Sequence, residues 1–475
     1  MTVPETWLAP TLAAVVIALG VQAQRALGLR AGGDRLGFAG RALGLGSACL
    51  AGLVFVQYLV GAAGTGALGL IGLIAVALAI LTRLARPDAT TRAVATATTR
   101  TADGPFARIL FGLTLGLVCL TWLAMALESV RRPALQGDEA MHWGMRAQAM
   151  FQAAGFGERL LAWHHNPLYP PHSDYPLWNP LNRLAASQLL GEFSFVYGRL
   201  PIQLVYAGLI LLMASALRRV GGRLFAAAGL LACFMHPTAL ATSFSAFSEP
   251  QLAFGLLLAL DGAMRFADSG ERASARLIPI GLALALFAKN EGLLFCFALV
   301  VALAPTLFSK SGRAAARRLA QNAGAAALWP LIALALWFGF NAWHGFANDL
   351  VTGKGEDIGL YQRLVAHGLE RAPVILDYFV RDILTAPAAS GWIFLVWFAA
   401  LAVGARRGLA FAGVHAAVLV AFGGLIFVYL TTPQELVWHL ESSAARVVWP
   451  LAPSTLLLSA LALRARPERA DPNLG

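Results

Sequence analysis

The sequence predicts an all-α polytopic membrane protein, and three observations carry that prediction. Only 13% of the 475 residues are charged, while 58% are hydrophobic; a soluble domain carries roughly 25% charged residues. The apolar residues also fall in blocks long enough to cross a bilayer, for which about 20 residues are needed. Arginine, finally, collects in alternate connections between those blocks, as cytoplasmic loops require. The net charge of +11 is thereby explained by loop arginines and gives no ground for a nucleic-acid partner.

The blocks lie near 7–24, 44–62, 66–83, 109–127, 199–217, 223–240, 251–267, 276–289, 291–308, 325–343, 390–405, 409–430 and 447–464. They predict about thirteen transmembrane helices. The first follows Glu5 and precedes Arg25, the reverse of a signal peptide's charge order, so it is expected to be a retained span. Arg25, Arg30, Arg35 and Arg41 follow it, and Arg83, Arg86, Arg92, Arg100 and Arg108 surround the third loop. Arg218, Arg219 and Arg223, then Lys310, Arg313, Arg317 and Arg318, then Arg406 and Arg407, separate later pairs. With thirteen spans all these clusters share one side, which the positive-inside rule makes cytoplasmic. Segments 128–198, 344–389 and 431–446 then lie outside, and ordered loops of such length are usually functional.

The expected organisation follows. Residues 1–108 form three N-terminal helices and a Thr/Ala/Arg-rich linker, 109–464 the main membrane domain, and 465–475 a cytoplasmic tail. Cys49, Cys119, Cys233 and Cys296 all sit in apolar blocks without a C-x-x-C pair, the pattern of small buried hydrophobes.

Four polar stretches interrupt this apolar chain. "LQGDEAMHWGMRAQAMF", Leu135 to Phe151, opens the first long loop with Asp138 and Glu139. Ala140, Trp143, Ala147, Met150, Phe151 and Ala154 recur at helical spacing, and Asp138, His142 and Arg146 share another face. This predicts a helix lying on the membrane surface with its acids at the N-terminus, where the helix dipole favours them. "WHHNPLYPPHSDYPLWNP", Trp163 to Pro180, gathers His164, His165, His172, Asp174 and Tyr175 among prolines and aromatics. Aromatic faces beside polar tips suit sugar rings; the imidazoles lack the ligand spacing of a zinc site.

The third stretch, "FAKNEGLLF", places Lys289, Asn290 and Glu291 inside an apolar run. Ionisable groups there are costly and mark a functional site or mutual pairing. Glu249, in "SFSEPQ", lies on another tight external turn. The fourth, "QELVWHLESSAARVVWP", brings His439, Ser443 and Arg446 before the last block; Arg446 suits a lipid headgroup or a substrate phosphate equally. No P-loop, G-x-S-x-G or dinucleotide fingerprint appears.

In their order and common sidedness these stretches resemble the GT-C superfamily of membrane glycosyltransferases. The likeness covers roughly residues 105–465 and is nearest to the bacterial aminoarabinose and galacturonic acid transferases of lipid A, distant relatives of protein O-mannosyltransferases. It implies a GT-C-like fold in a bacterial inner membrane, with the active site facing the periplasm. The reaction implied moves a sugar from a polyprenyl-phosphate donor to an envelope glycolipid or polysaccharide. Asp138 is then the general base, accompanied by Glu139; Lys289, Arg446 and Arg146 hold the donor phosphate. His142, His172, Asp174, Tyr175, Asn290, Glu291 and His439 line the substrate site. The resemblance fixes no cofactor: some relatives bind a divalent metal and others work without one, so a divalent ion is possible here. The chain departs from the pattern at Met141, where several relatives carry Arg, and in having three helices before the first one expected. Two alternatives remain: an O-antigen ligase or polymerase, which would lean on Arg and His, and a lipid-linked sugar flippase or transporter, in which internal repeats are expected.

Overall fold

The computed structural model describes residues 2–30, 33–85, 104–132, 137–157, 172–352, 359–386, 391–405 and 412–464. His164, His165, Arg86, Arg92, Arg100, Arg406, Arg407 and the 465–475 tail lie outside them. Among the described residues every regular element is a helix. Each apolar block has a helical counterpart, from Glu5–Ala26 to Ala452–Leu463.

Nine helical stretches among the described residues are long and apolar enough to cross a membrane, so the molecule is an all-α membrane protein. This is fewer than the thirteen spans expected, for physical reasons that can be named. Two of the blocks lie in Leu200–Phe234, which Gly222 (φ 82°) divides into two helices, so that one of the nine stretches holds both blocks. Glu249–Ser269 carries Asp261, Arg265 and Asp268 among its apolar residues. Arg272–Ala288 and Trp392–Ala405 are 17 and 14 residues long.

Between membrane helices, close packing replaces the hydrophobic effect as the main attraction, and small residues permit it. Gly255 and Gly281 show this: a Cβ on either would collide with the backbone of the other helix. The three N-terminal helices join the same apolar core, with Leu12, Val54 and Leu70 in one cluster with Leu252 and Leu456. Asn182 donates to Ser47 Oγ at 2.9 Å, and Arg276 to the Leu27 carbonyl at 3.0 Å, across that seam.

Local signals fix the ends that matter for chemistry. Pro250 stands in the first turn of the Glu249–Ser269 helix, where a missing N–H costs nothing. Lys289 is fully extended (φ −161°, ψ 158°) and breaks the helical path between Arg272–Ala288 and Asn290–Leu303. Glu435 caps the Leu436–Val448 helix by accepting from the N–H groups of Val437 and Trp438.

Candidate functional site

The opening acids sit where the Pro105–Arg131 helix has ended and the chain begins a π-helical turn, Glu139–Gly144, continued by the helix Met145–Ala153. The sequence predicts this helix on the membrane surface; it is instead embedded on both faces. Trp143, Ala147 and Met150 are buried in the core, and so are His142 and Arg146 on the polar side. The wide π turn puts two adjacent acids in different environments, and such turns recur at functional sites.

Asp138 keeps a 32% exposed side chain and pairs with Arg446, Nη2 to Oδ2, at 2.6 Å. Arg446 also reaches Glu249 Oε1 at 3.5 Å and lies 4.7 Å above the Phe247 ring. Glu249 Oε1 in turn meets Lys289 Nζ at 3.0 Å, and Lys289 meets Glu291 Oε1 at 2.9 Å. His142 Nε2 approaches Asp138 Oδ1 at 3.7 Å. One chain of ionisable groups thus runs from a flanking His142 through Asp138, Arg446, Glu249, Lys289 and Glu291, joining three of the four polar stretches through Glu249. Asp138 is its most exposed member; Glu249 and Lys289 are buried. Glu249 Oε2 and Glu291 Oε2 are buried without a hydrogen-bond partner.

The second stretch, through its described residues from His172 onward, packs against the start of this chain. His172 donates its backbone N–H to His142 Nδ1 at 3.0 Å. With Nδ1 accepting, the proton of a neutral imidazole sits on Nε2, facing Asp138. The Tyr175 ring stacks between His172 (4.9 Å) and Trp143 (5.2 Å). Asp174 serves as a knot: its Oδ2 accepts from Asn290 and Asn348, both at 2.6 Å, and its carbonyl from Trp337 (2.7 Å) and Asn341 (3.0 Å). Asn290 therefore ties the 172–180 segment to Lys289 and Glu291.

Charge follows from this geometry. Burial alone would raise the Asp138 carboxyl; Arg446, with His142 and Lys289, outweighs it and holds the group below the usual carboxylate range. Burial, reinforced by His172, pushes the His142 imidazole down to about 3, against the pull of Asp138. His142 is therefore neutral at pH 7.

Two expected site residues face elsewhere. Glu139 accepts from Arg199 at 2.6 and 2.8 Å and from Arg183 at 3.1 Å, wholly buried. Arg199 Nη1 also donates to the Ser129 carbonyl, and Arg183 Nη2 to that of Ala246 at 3.1 Å. The Glu139 carboxyl thus fastens the loop entrance to two helices. Arg146 is buried away from the chain, donating to the Tyr175 carbonyl and lying 5.7 and 6.0 Å from the Phe340 and Phe346 rings. Burial lowers its guanidinium to about 9 despite Asp174 nearby. His439 is held by Thr432 at 2.8 Å and packs 4.9 Å from the Tyr429 ring.

Sequence reasoning placed Glu249 on a tight external turn and left it out of the site, yet it is the link between Arg446 and Lys289. An acid before proline at the start of a helix that also carries Asp261 was the available signal. Arg183 and Arg199 were missed altogether; nothing local marks them as partners of Glu139. A divalent ion does not fit the described residues. No three His, Cys, Asp or Glu side chains gather as a ligand set, and both Asp138 oxygens already face Arg446 and His142.

Comparison of the chain with protein-family models, with characterised proteins and with solved structures finds no match.

Proposed function

We propose that the protein is a membrane glycosyltransferase of GT-C-like architecture, using a polyprenyl-phosphate sugar and an acceptor at the outer face of a bacterial inner membrane. The observation that carries this is the charged chain from Asp138 to Glu291. It sets a part-exposed carboxylate against two cations, at one end of an apolar helical bundle. Glycosyl transfer needs that pairing: a base for the acceptor hydroxyl and a clamp for the departing phosphate.

In the ground state Asp138 is a poor base, because Arg446 stabilises its charge. An arriving phosphate competes for Arg446 and Lys289. As Arg446 turns to the phosphate, Asp138 loses its cation and its proton affinity rises. The acceptor O–H then gives its proton to Asp138 while the acceptor oxygen bonds to the anomeric carbon. The bond from that carbon to the phosphate oxygen breaks, and the phosphate leaves with the electron pair. Direct displacement inverts the anomeric centre, because no second carboxylate acts as nucleophile. Glu139 is occupied with Arg183 and Arg199 and acts here by positioning.

A second reading is favoured by one observation: three acidic side chains face two cations in the chain, and two of their oxygens are open. A surplus acid in a membrane suits a cation-coupled transporter or flippase as well. The deciding experiment supplies radiolabelled sugar on polyprenyl phosphate to the full chain in nanodiscs with envelope glycolipid. A new glycosidic bond, lost in Arg446→Gln, supports the transferase; movement of label across the bilayer without a new bond refutes it.

A further inference from the structure

The apolar stretch Asn290–Phe308 leads away from Lys289, and the helix Trp329–His344 leads back, where Trp337 and Asn341 donate to the Asp174 carbonyl. The 19 residues of the first stretch cover about 30 Å at helical rise, the thickness of a bilayer's hydrocarbon core. The helix Lys310–Ala323 therefore lies between two membrane segments at the end opposite the charged chain.

This helix, KSGRAAARRLAQNA, is two-sided. Helical periodicity puts Lys310, Arg313, Arg317 and Gln321 on one face and Gly312, Leu319 and Ala323 on the other. The second face packs inward: Ala323 is buried, Leu319 half-buried, and a Cβ on Gly312 would strike the Thr306 carbonyl. The cationic face is exposed. Arg313 donates to the carbonyls of Leu307 and Phe308, both at 3.0 Å, and fastens the helix to the preceding turn. Arg318 lies 5.4 Å over the Phe266 ring. No acid stands in the chain between Glu291 and Asp349, and among the described residues no carboxylate pairs with Lys310, Arg313 or Arg317. The basic cluster of Arg41 and Arg219 differs, because Asp34 and Asp261 engage it. Apolar side chains also stand out at both ends of the helix: Phe308 is 86% exposed, and Leu307, Leu328 and Trp329 are about half exposed.

We infer that the Lys310–Ala323 helix lies in the headgroup plane of the membrane and binds the phosphodiesters of anionic phospholipids through Lys310 and Arg317. Phe308 and Trp329 set its depth, since large apolar side chains gain from hydrocarbon rather than water around them. Cations at that depth meet headgroup phosphates, which accept charge-assisted hydrogen bonds from ammonium and guanidinium groups. Arg313 and Arg317 are one helical turn apart and repel each other. An anion between them relieves that repulsion, which no acid of the segment does. A zwitterionic headgroup carries its own cation and relieves it less. This surface is remote from the Asp138 end, and its lipid binding holds whether or not the chain transfers sugar.

The test offers the full chain in detergent equal amounts of phosphatidylglycerol and phosphatidylcholine with the same acyl chains, and separately free glycerol 1-phosphate. Native mass spectrometry should find phosphatidylglycerol retained at least about fivefold over phosphatidylcholine, and the free phosphate not retained. Lys310→Gln with Arg317→Gln should abolish most of that preference; Lys310→Arg with Arg317→Lys should keep it. Arg25→Gln with Arg83→Gln removes two exposed arginines from other helices and should reduce it less. In nanodiscs, a nitroxide on Phe308→Cys should meet dissolved oxygen more readily than a water-soluble nickel chelate. Equal retention of the two lipids, or a preference that survives the glutamine pair, would overturn the inference. So would an equal loss with the Arg25 and Arg83 pair, which would make the effect one of net charge alone. A nitroxide at Phe308 reached mainly by the chelate would take the helix out of the membrane, and tight retention of free glycerol 1-phosphate would make the ligand a soluble phosphate instead of a lipid.

Discussion

The Glu249–Ser269 helix carries a buried charge cluster at each end, and the two are built on different principles. Near its C-terminal end Asp261 accepts from Arg219 (2.7 Å) and Arg265 (2.7 Å), with Arg41 at 3.6 Å. Asp34 accepts from Arg265 at 2.5 Å, from Gly37 at 3.1 Å and from the Ser215 hydroxyl. Every oxygen of these two acids is engaged. At the other end Glu249 and Glu291 each keep one oxygen unpartnered, and Asp138 is a third exposed. The lesson is one of saturation. The Asp261 cluster closes its valences, whereas the Asp138 cluster keeps some open and leaves one member within reach of water, as the proposed phosphate ligand would require.

That contrast breaks most sharply at Asp138. Asp138→Asn preserves shape and removes the proposed base, so single-turnover transfer from a polyprenyl-phosphate donor should slow by roughly 10²–10⁴-fold. The melting temperature should fall less than with Asp261→Asn, since Asp138 is part-exposed and Arg446 keeps Glu249 as a partner. NMR of the product anomer should show inversion. Near-parental turnover, or retained configuration, would overturn the assignment.

Asp261→Asn should do the opposite. It strands Arg219, Arg265 and Arg41 around a neutral amide, and removing one partner of a buried ion pair costs about 3–5 kcal/mol. Unfolding followed by intrinsic fluorescence should report that loss, with transfer per folded molecule unchanged. An Asp261→Asn protein as stable as the parent would remove the structural half of the comparison.

Glu139 decides whether chemistry or architecture governs the acid pair. It neighbours Asp138 in sequence but resembles Asp261 in surroundings, buried between Arg183 and Arg199. Glu139→Gln should therefore destabilise by about 3 kcal/mol and slow transfer less than Asp138→Asn does. Backbone carbonyls already bonded to both arginines keep the loss at the lower end. A rate defect as large as that of Asp138→Asn, without loss of stability, would show that Glu139 acts in the reaction.

How much of this was legible in the chain depends on range. Apolar blocks name the helices because burial in lipid is decided residue by residue along one segment. The polar interruptions at Asp138, Lys289 and Arg446 stood out for the same reason, and the fold brings all three together. Long-range pairing left no comparable trace. Arg41 and Arg219 read as members of basic loops, yet Arg41 is 2% exposed inside the Arg35–Leu59 helix and pairs with Asp34 and, far along the chain, with Asp261. Arg199 read as the edge of an apolar block, because its partner Glu139 lies 60 residues away. Arg146 shows the limit of helical spacing. Its face was foreseen, but which neighbour covers that face is decided by Phe340 and Phe346.

The smallest effect expected at neutral pH belongs to His142, which sits where the two kinds of design meet. It approaches Asp138, the proposed base, yet it is buried and bonded through Nδ1 to the His172 backbone. Its folded value, about 3, lies below the unfolded 6.5. Between those values the unfolded chain binds the extra proton, so stability rises with pH there. The contribution of neutral His142 is thus complete above pH 6.5 and is lost as pH falls toward 3. Replacing it with Gln costs one hydrogen bond, about 1 kcal/mol at pH 7. The variant should also flatten the acid limb of a melting-temperature profile measured from pH 7 to pH 4. An unchanged acid limb in His142→Gln would mean that another group carries the acid sensitivity. A transfer rate that falls with His142→Gln as steeply as with Asp138→Asn would move the imidazole into the proton path itself.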